Sequence, residues 1–214
     1  MGRPTMVARL IAVAIGAIYS GALLLSGVSL APPIAKALSF LPLLVAAVLW
    51  LWDAWLWRVP ILHAALHRPR IDGLWRVTYT PTANSRIPEG GSRGPIPGYV
   101  VIRQTFWSIS ICSFTAQSAS DSKAFFWERQ NGETESLTYT YENRPRESEI
   151  DRSIRHFGTT CLRPTTRIPR FLHGMYFTDR YTKGDIDAEL LDRRTGFGSF
   201  AEADAFAIER ARVR

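Results

Sequence analysis

Gly-Asp-Ile-Asp-Ala-Glu-Leu, residues 184–190, alternates acidic and apolar side chains without interruption. Successive side chains of a β-strand point to opposite faces of the sheet, so this run predicts a strand with one dry and one wet face. Lys183-Gly184 marks a turn before it. The same alternation recurs through the chain from residue 71 onward, which makes the C-terminal two thirds strand-rich.

Further strands are predicted upstream of this run, separated by short turns rather than by helices. The candidates are residues 74–79, 99–114 (one bent strand or two), 124–129, 137–141, 156–162 and 172–178. Asn131-Gly132 favours a type I′ turn, because both central residues of that turn need positive φ. About eight strands in this order predict an antiparallel meander that closes into a β-barrel, since closure removes exposed strand edges.

Two features flank the predicted barrel. Residues 81–98 are rich in proline, glycine and serine and form a long loop, which we expect to cover one mouth of the barrel. Residues 199–212 have helical spacing, and Ser199 with Glu202 fits a capping box. An eight-stranded barrel encloses a lumen just wide enough for side chains or one small ligand.

The first 62 residues have a different character. Residues 10–31 contain no charge, and residues 37–57 contain only Asp53. Each stretch is long enough to cross a bilayer as a helix, and the short gap with Pro32 and Pro33 would force a hairpin. A cleaved signal peptide is the alternative for the first stretch, but Pro32 would follow the cleavage point. We therefore predict a transmembrane hairpin over 1–62, a barrel over 63–191, and a tail over 192–214 that includes a short helix.

The net charge of +7 is concentrated beside these apolar segments. Residues 1–70 contain six basic side chains and Asp53, a balance of +5, whereas residues 71–214 contribute only +2. Basic residues flanking apolar spans indicate membrane orientation rather than a DNA- or RNA-binding face. Because the connecting gap holds only Lys36, both termini are predicted to be cytoplasmic.

Aromatic and polar residues near the end of the second apolar stretch also suggest an interface with lipid. Four tryptophans are predicted to form a belt at headgroup depth: Trp50, Trp52, Trp55 and Trp57. Asp53 is interpreted as a solvated interfacial carboxylate, the alternative being a contact between hairpins in an oligomer. Cys112 and Cys161 fall in predicted strands and are expected to be buried, reduced thiols.

No catalytic constellation or metal-binding pattern is visible, so the chain is predicted not to be an enzyme and to need no cofactor. His63 and His67 are four residues apart, but two histidines without a third ligand indicate a polar turn. Polar and aromatic residues nevertheless recur at predicted inward positions. Together they offer aromatic faces for bases and a guanidinium or imidazole for phosphate.

Short ordered motifs then point to a family. They are Gly73-x-Trp75, residues 102–107 (Ile-Arg-Gln-Thr-Phe-Trp), Ser118-Ala119-Ser120-x-Ser122, Leu137-x-Tyr139-x-Tyr141-x-Asn143, His156-x-Gly158-Thr159 and Leu172-x-Gly174-x-Tyr176-Phe177-Thr178-x-Arg180-x3-Gly184. Behind two apolar segments, this series resembles the CD-NTase-associated protein 15 type of effector from bacterial anti-phage CBASS systems. The resemblance covers residues 8–191, and Trp75 also resembles the core tryptophan of lipocalin-type barrels.

The resemblance implies a function that the residues alone do not. On this resemblance we expect that a nucleotidyltransferase (CD-NTase) makes a cyclic dinucleotide and that the barrel binds it. The protein is then expected to form a homo-oligomer whose helices disrupt the lipid of the bacterial inner membrane and kill the infected cell. The ligand-binding residues expected on this basis are Tyr79, Gln104, Trp107, Ser122, Tyr141, Asn143, His156, Thr159, Tyr176, Thr178 and Arg180.

Two other functions are compatible with the same pattern. One is a membrane-tethered, lipocalin-like carrier or sensor of an apolar ligand, which a lumen without arginine or histidine would favour. The other is a structural membrane scaffold whose barrel is filled and contacts only protein.

Overall fold

The structure of the chain is a computed structural model that describes residues 11, 14–19, 21, 25, 41–87, 91–129, 135–149 and 154–212. It divides into two compact units. Met1–His63 with Thr105–Ser108 forms the N-terminal unit, and Ala64–Gln104 with Ile109–Arg214 forms the barrel unit.

The barrel unit contains eight antiparallel strands. They are β1 (Gly73–Pro81), β2 (Ile96–Gln104), β3 (Ile109–Thr115), β4 (Ser118–Glu128), β5 (Ser136–Pro145), β6 (His156–Pro164), β7 (Phe171–Thr178) and β8 (Lys183–Asp192). Each strand pairs with its sequence neighbour, and β1 also pairs with β8, which closes the barrel. The predicted closed, eight-stranded antiparallel barrel is confirmed, and residues 99–114 form two strands. The predicted turn at Asn131-Gly132 lies outside the described residues.

The strand register stacks the inward-facing side chains in layers. One end of the barrel, here called the mouth, is where β1 leads into β2, β3 into β4, β5 into β6 and β7 into β8. The layers are apolar at the opposite, closed end and become polar towards the mouth. Between β5 and β6 the paired residues run, from closed end to mouth, Leu137–Leu162, Tyr139–Thr160, Tyr141–Gly158 and Asn143–His156.

Trp75 fills the closed end. Its side chain is fully buried in the inner core, and its indole Nε1 donates to the Ile71 carbonyl at 2.9 Å. The Arg193 guanidinium, just past β8, donates to the carbonyls of Arg70 and Asp72 at 3.1 and 2.8 Å. These bonds fix the segment before β1 across the closed end, and they agree with the predicted structural role of Trp75.

Helix α3 (Phe200–Arg212) packs on the outside of the barrel. Ala203 and Ala207 on this helix lie against Leu74, Val101 and other outward residues of β1–β3. The Glu202 amide donates to Ser199 Oγ at 3.3 Å, and the Glu202 carboxylate accepts from the Gly198 amide at 2.7 Å. The predicted helix and its N-terminal cap are therefore confirmed. It covers an outer apolar face that would otherwise be exposed to water.

Two half-buried thiols lie on the strands. Cys112 on β3 and Cys161 on β6 are both free, as expected for reduced cysteines, although neither is fully buried.

The N-terminal unit is helical in its described part. Residues 11, 14–19, 21 and 25 are helical, followed by α1 (Leu41–Ala54), and α2 (Pro60–Ala65) crosses the boundary between the two units. Among the described residues, no helix has both the length and the apolar character that crossing a bilayer requires. Much of the predicted spans 10–31 and 37–57 lies outside the described residues, so the transmembrane hairpin stays a prediction.

Asp53 departs from the sequence interpretation. It is 9% exposed rather than solvated, and its carboxylate accepts the Trp107 amide at 2.9 Å. Its backbone carbonyl accepts the Phe106 amide at 3.1 Å. Asp53 therefore holds the turn Thr105–Ser108, because it satisfies two backbone donors of that turn.

The tryptophans of the N-terminal unit differ in their exposure. Trp50 and Trp55 are exposed as predicted for a belt, but Trp57 is fully buried. Its ring lies 6.1 Å from the ring of Phe106, and Trp52 makes an edge contact with Phe106 at 5.5 Å. Trp57 is thus a packing residue of this unit rather than a lipid-facing ring.

Candidate ligand-binding site

A cavity of about 240 Å³ lies inside the mouth of the barrel. Strand residues form most of its wall, and residues of three mouth connections complete it: Ile87, Gly91 and Ser92 of the β1–β2 loop, Gln117 of the β3–β4 turn, and Arg180 and Thr182 of the β7–β8 turn. The prediction that the Pro/Gly/Ser-rich loop covers one mouth agrees with these contacts. The loop is fastened to the β7–β8 turn, because the Thr82 amide donates to the Lys183 carbonyl at 2.9 Å and the Lys183 amide to Ser85 Oγ at 3.0 Å.

Four tyrosines dominate the cavity wall. Tyr79 and Tyr176 meet edge to face with ring centroids 5.6 Å apart, and Tyr139 and Tyr141 lie 6.1 Å apart. The Tyr79 hydroxyl bonds Ser113 Oγ at 2.6 Å. Aromatic faces in a recess of this kind can stack on a flat ligand ring.

These tyrosines stay protonated at neutral pH. Burial raises the pKa of Tyr79 to about 12, although its bond to Ser113 works in the opposite direction. Burial also raises the pKa of Tyr139, Tyr141 and Tyr176. The tyrosine hydroxyls are therefore neutral groups that can donate as well as accept a hydrogen bond.

Asn143 contributes an unsatisfied acceptor to the wall. Its side-chain Nδ2 donates to Ser118 Oγ at 3.0 Å and to Ser120 Oγ at 2.9 Å. The amide oxygen Oδ1 is buried, and it has no hydrogen-bond partner among the described residues. A buried polar atom without a partner costs about 1–3 kcal/mol, so such an atom in a cavity wall indicates a place for a ligand donor.

His156 stands opposite Asn143 on the next strand. Its Nδ1 lies 3.1 Å from the Ile154 carbonyl, which can only accept, so the proton sits on Nδ1 and Nε2 keeps its lone pair. Burial lowers the pKa of His156, and the nearby Arg180 lowers it further, against the bond to Ile154, which raises it. His156 is therefore neutral at pH 7.

Arg180, in the β7–β8 turn, supplies a cation to the cavity wall. Burial lowers its pKa, while neighbouring Asp179 raises it, and a guanidinium stays protonated at neutral pH. Among the described lining residues no carboxylate is present. The cavity thus combines aromatic faces, hydrogen-bonding groups and one positive charge, which suits an anionic ligand with flat rings.

The structure brings most of the predicted ligand-binding residues to this cavity. Those on its wall are Tyr79, Tyr141, Asn143, His156, Tyr176, Thr178 and Arg180. The other four, Gln104, Trp107, Ser122 and Thr159, are not on it.

Gln104 and Trp107 serve other parts of the molecule. Gln104 lies at the closed end, where its amide donates to the Pro69 carbonyl at 2.9 Å and accepts the Ile71 amide at 2.8 Å. Trp107 belongs to the turn held by Asp53 in the N-terminal unit. Gln104 therefore holds the backbone before β1 in place, and the Trp107 backbone is itself held by Asp53.

Ser122 and Thr159 do not line the cavity, and the reason differs between them. Ser122 sits at an irregularity in the β4–β5 register, and its hydroxyl accepts the Ile111 amide at 3.0 Å. Thr159 shares the outer face of β6 with exposed Phe157, whereas the next residue, Thr160, is buried and lines the cavity. Because every second residue of a strand faces the same side, alternation from His156 predicts that Thr160, and not Thr159, faces the cavity.

Several lining residues are not among the predicted ligand-binding residues. Ser113, Ser118, Ser120, Tyr139 and Thr160 all contribute to the wall. Tyr139 shares the parity of Tyr141 and Asn143 on β5, and this was a usable signal. Ser118 and Ser120 belong to one of the family motifs, and both accept a hydrogen bond from Asn143. Ser113 lies in no motif, and its bond to Tyr79 identifies it only in the structure.

A protein-family model matches the barrel part of the chain. The family model described as Cap15, cyclic dinucleotide receptor domain, matches residues 66–189, more than half of the chain. No curated protein matches the chain.

Proposed function

This chain belongs to the Cap15 family of cyclic dinucleotide receptor domains, and from that premise we propose that its barrel cavity binds a cyclic dinucleotide. The protein acts as a CBASS effector, and a CD-NTase supplies the ligand. Binding drives homo-oligomerisation, and the N-terminal helices then disrupt the bacterial inner membrane. The domain and C-terminus face the cytoplasm in this proposal.

The composition of the cavity wall is the observation that supports this function best. Tyrosine rings can stack on the two bases, with Asn143 and His156 reaching base edges. Arg180 can form charged hydrogen bonds to phosphate oxygens. The arrangement separates contacts to bases from contacts to phosphate, as a ligand with both parts requires.

The same wall argues against the carrier of an apolar ligand. Such a carrier is expected to have a lumen without arginine or histidine, and this cavity presents Arg180 and His156. An open recess in the mouth also argues against a scaffold with a filled barrel.

Ligand binding can be tested by thermal unfolding of the full-length protein in detergent with a panel of cyclic dinucleotides, cyclic trinucleotides and fatty acids. We expect a cyclic dinucleotide to stabilise the fold by about 2.7 kcal/mol at a hundredfold excess over Kd. Stabilisation by fatty acids alone would replace this function with the carrier.

The position of the Tyr141 ring depends on the absence of a side chain at Gly158. A Cβ added at Gly158 would lie 2.3 Å from the end of the Tyr141 ring, so Gly158→Ala must displace that ring. Because stacking of one base on an aromatic side chain is worth about 1–3 kcal/mol, we expect binding to weaken by about tenfold.

The control is Gly196→Ala, since a Cβ there meets nothing within 4 Å. Isothermal titration should show the loss for the first variant only, with similar melting temperatures for both. Equal Kd values would mean that Tyr141 does not touch the ligand.

Membrane disruption should require the ligand and the helices together. We expect full-length protein in liposomes to release an encapsulated dye when cyclic dinucleotide is added, and residues 63–214 to bind it without causing release. Several hairpins must assemble to enclose water, because each helix has to hide its polar groups from lipid.

Gly21→Leu should reduce dye release and leave ligand binding intact, since small residues permit close helix packing. Equal release without ligand would contradict this mechanism.

A further inference from the structure

Two hydrogen-bond acceptors stand side by side on the cavity wall. Asn143 on β5 and His156 on β6 are directly paired in the strand register, so their side chains project next to each other on the inner face. Both residues are more than nine-tenths buried and line the cavity.

Each of the two presents a lone pair that the described protein atoms leave unused. Asn143 spends both Nδ2 hydrogens on Ser118 and Ser120, and its Oδ1 has no partner among the described residues. His156 uses Nδ1–H on the Ile154 carbonyl, which leaves Nε2 as an acceptor. A ligand that is complementary to this part of the wall has two neighbouring hydrogen-bond donors.

The bases differ in how they meet this demand. Guanine presents N1–H and the N2 amino group next to each other on its Watson–Crick edge. Adenine and cytosine place a ring acceptor beside their amino group, and uracil flanks its single N–H with two carbonyls. A second protein acceptor facing those atoms is left without a donor or is repelled, and unpaired buried polar groups discriminate strongly between ligands.

We infer that the cavity reads a guanine base through Asn143 Oδ1 and His156 Nε2, and that the preferred cyclic dinucleotide contains guanine. This inference rests on the proposed function and deepens it. Arg180 and the tyrosines contact features that every cyclic dinucleotide shares, so they supply affinity without selecting a base.

The test is isothermal titration of the full-length protein in detergent with four symmetric 3′,5′-linked cyclic dinucleotides, containing guanine, hypoxanthine, adenine or uracil. Hypoxanthine is guanine without the N2 amino group, so it isolates one of the two donors. We expect the guanine ligand to bind tightest, and each of the others to bind about tenfold more weakly or worse.

Two variants locate the effect. One of Asn143→Leu and His156→Phe, the variant that removes the acceptor of the N2 amino group, should bring the guanine and hypoxanthine ligands to within about threefold of one another. The other variant removes the acceptor of N1–H, which both bases have, so it should weaken both ligands and keep their order. The matched controls Asn84→Leu, in an exposed turn, and His173→Phe, on the outer face of β7, should keep the wild-type preference.

Equal Kd values for guanine and hypoxanthine in the wild-type protein, or tighter binding of adenine or uracil, would overturn the guanine assignment and leave the proposed function standing. Failure of all four ligands to bind would remove the proposed function as well. The wild-type comparison needs no folded variant, so an unfolded Asn143→Leu protein does not block the test.

Discussion

Replacing Arg180 with alanine is expected to weaken cyclic dinucleotide binding by about tenfold or more. A hydrogen bond to a charged group contributes roughly 1.5 to 3 kcal/mol, and about 1.4 kcal/mol corresponds to one factor of ten in Kd. Arg180 is the one permanent cation among the described lining residues, so no described neighbour on the wall can replace it at the phosphate. Isothermal titration of the full-length protein measures the loss directly.

The matched control is Arg163→Ala. Arg163 lies on the outer face of β6, where it is exposed and away from the cavity. The Arg163→Ala substitution removes the same charge from the same domain as Arg180→Ala. Because the long-range effect of net charge is then equal, only a local contact can separate the two variants. An Arg180→Ala protein that binds as tightly as Arg163→Ala would exclude Arg180 from the site.

The largest expected loss of stability comes from the closed end of the barrel. Trp75 is fully buried, and its removal leaves both a cavity and an unpaired Ile71 carbonyl. Trp75→Ala is expected to lower the free energy of unfolding by about 3–5 kcal/mol. Chemical unfolding followed by the strand signal in circular dichroism measures this change.

A second variant separates packing from hydrogen bonding at the same position. Trp75→Phe keeps most of the buried ring but loses the Nε1 donor, so its cost should be clearly smaller than that of alanine. Phe177→Ala, on the exposed outer face of β7, should change stability by less than about 0.5 kcal/mol. A Trp75→Ala protein as stable as Phe177→Ala would mean that the closed end relaxes around the gap.

The barrel could be predicted well from the sequence, because strands and turns are indicated by residues that lie within a few positions of one another. Alternation in residues 184–190 and 137–141 identifies strands, and short turns between strands leave an antiparallel meander as the simplest topology. The loop that walls the cavity and the helix capped by Ser199 were also readable, since composition and capping residues act within a few positions.

The site was predicted less completely because it depends on register and depth. Alternation separates the two faces of a strand, yet it does not say how far along the barrel a residue lies. Gln104 faces inward but at the closed end, and the register irregularity after Ser122 changes what that serine contacts. Asp53 shows the same limit, because its partner Trp107 is 54 positions away.

The pairing of β1 with β8 has a consequence for synthesis in the cell. Strand β1 spans residues 73–81 and β8 spans 183–192, so the seam joins almost the first and the last parts of the barrel to leave the ribosome. Until β8 has emerged, no strand joins β7 to β1, so Tyr176 on β7 and Tyr79 on β1 are not held together and the cavity is incomplete. On the proposed function, a nascent chain is therefore expected to bind no cyclic dinucleotide until translation of the barrel is complete.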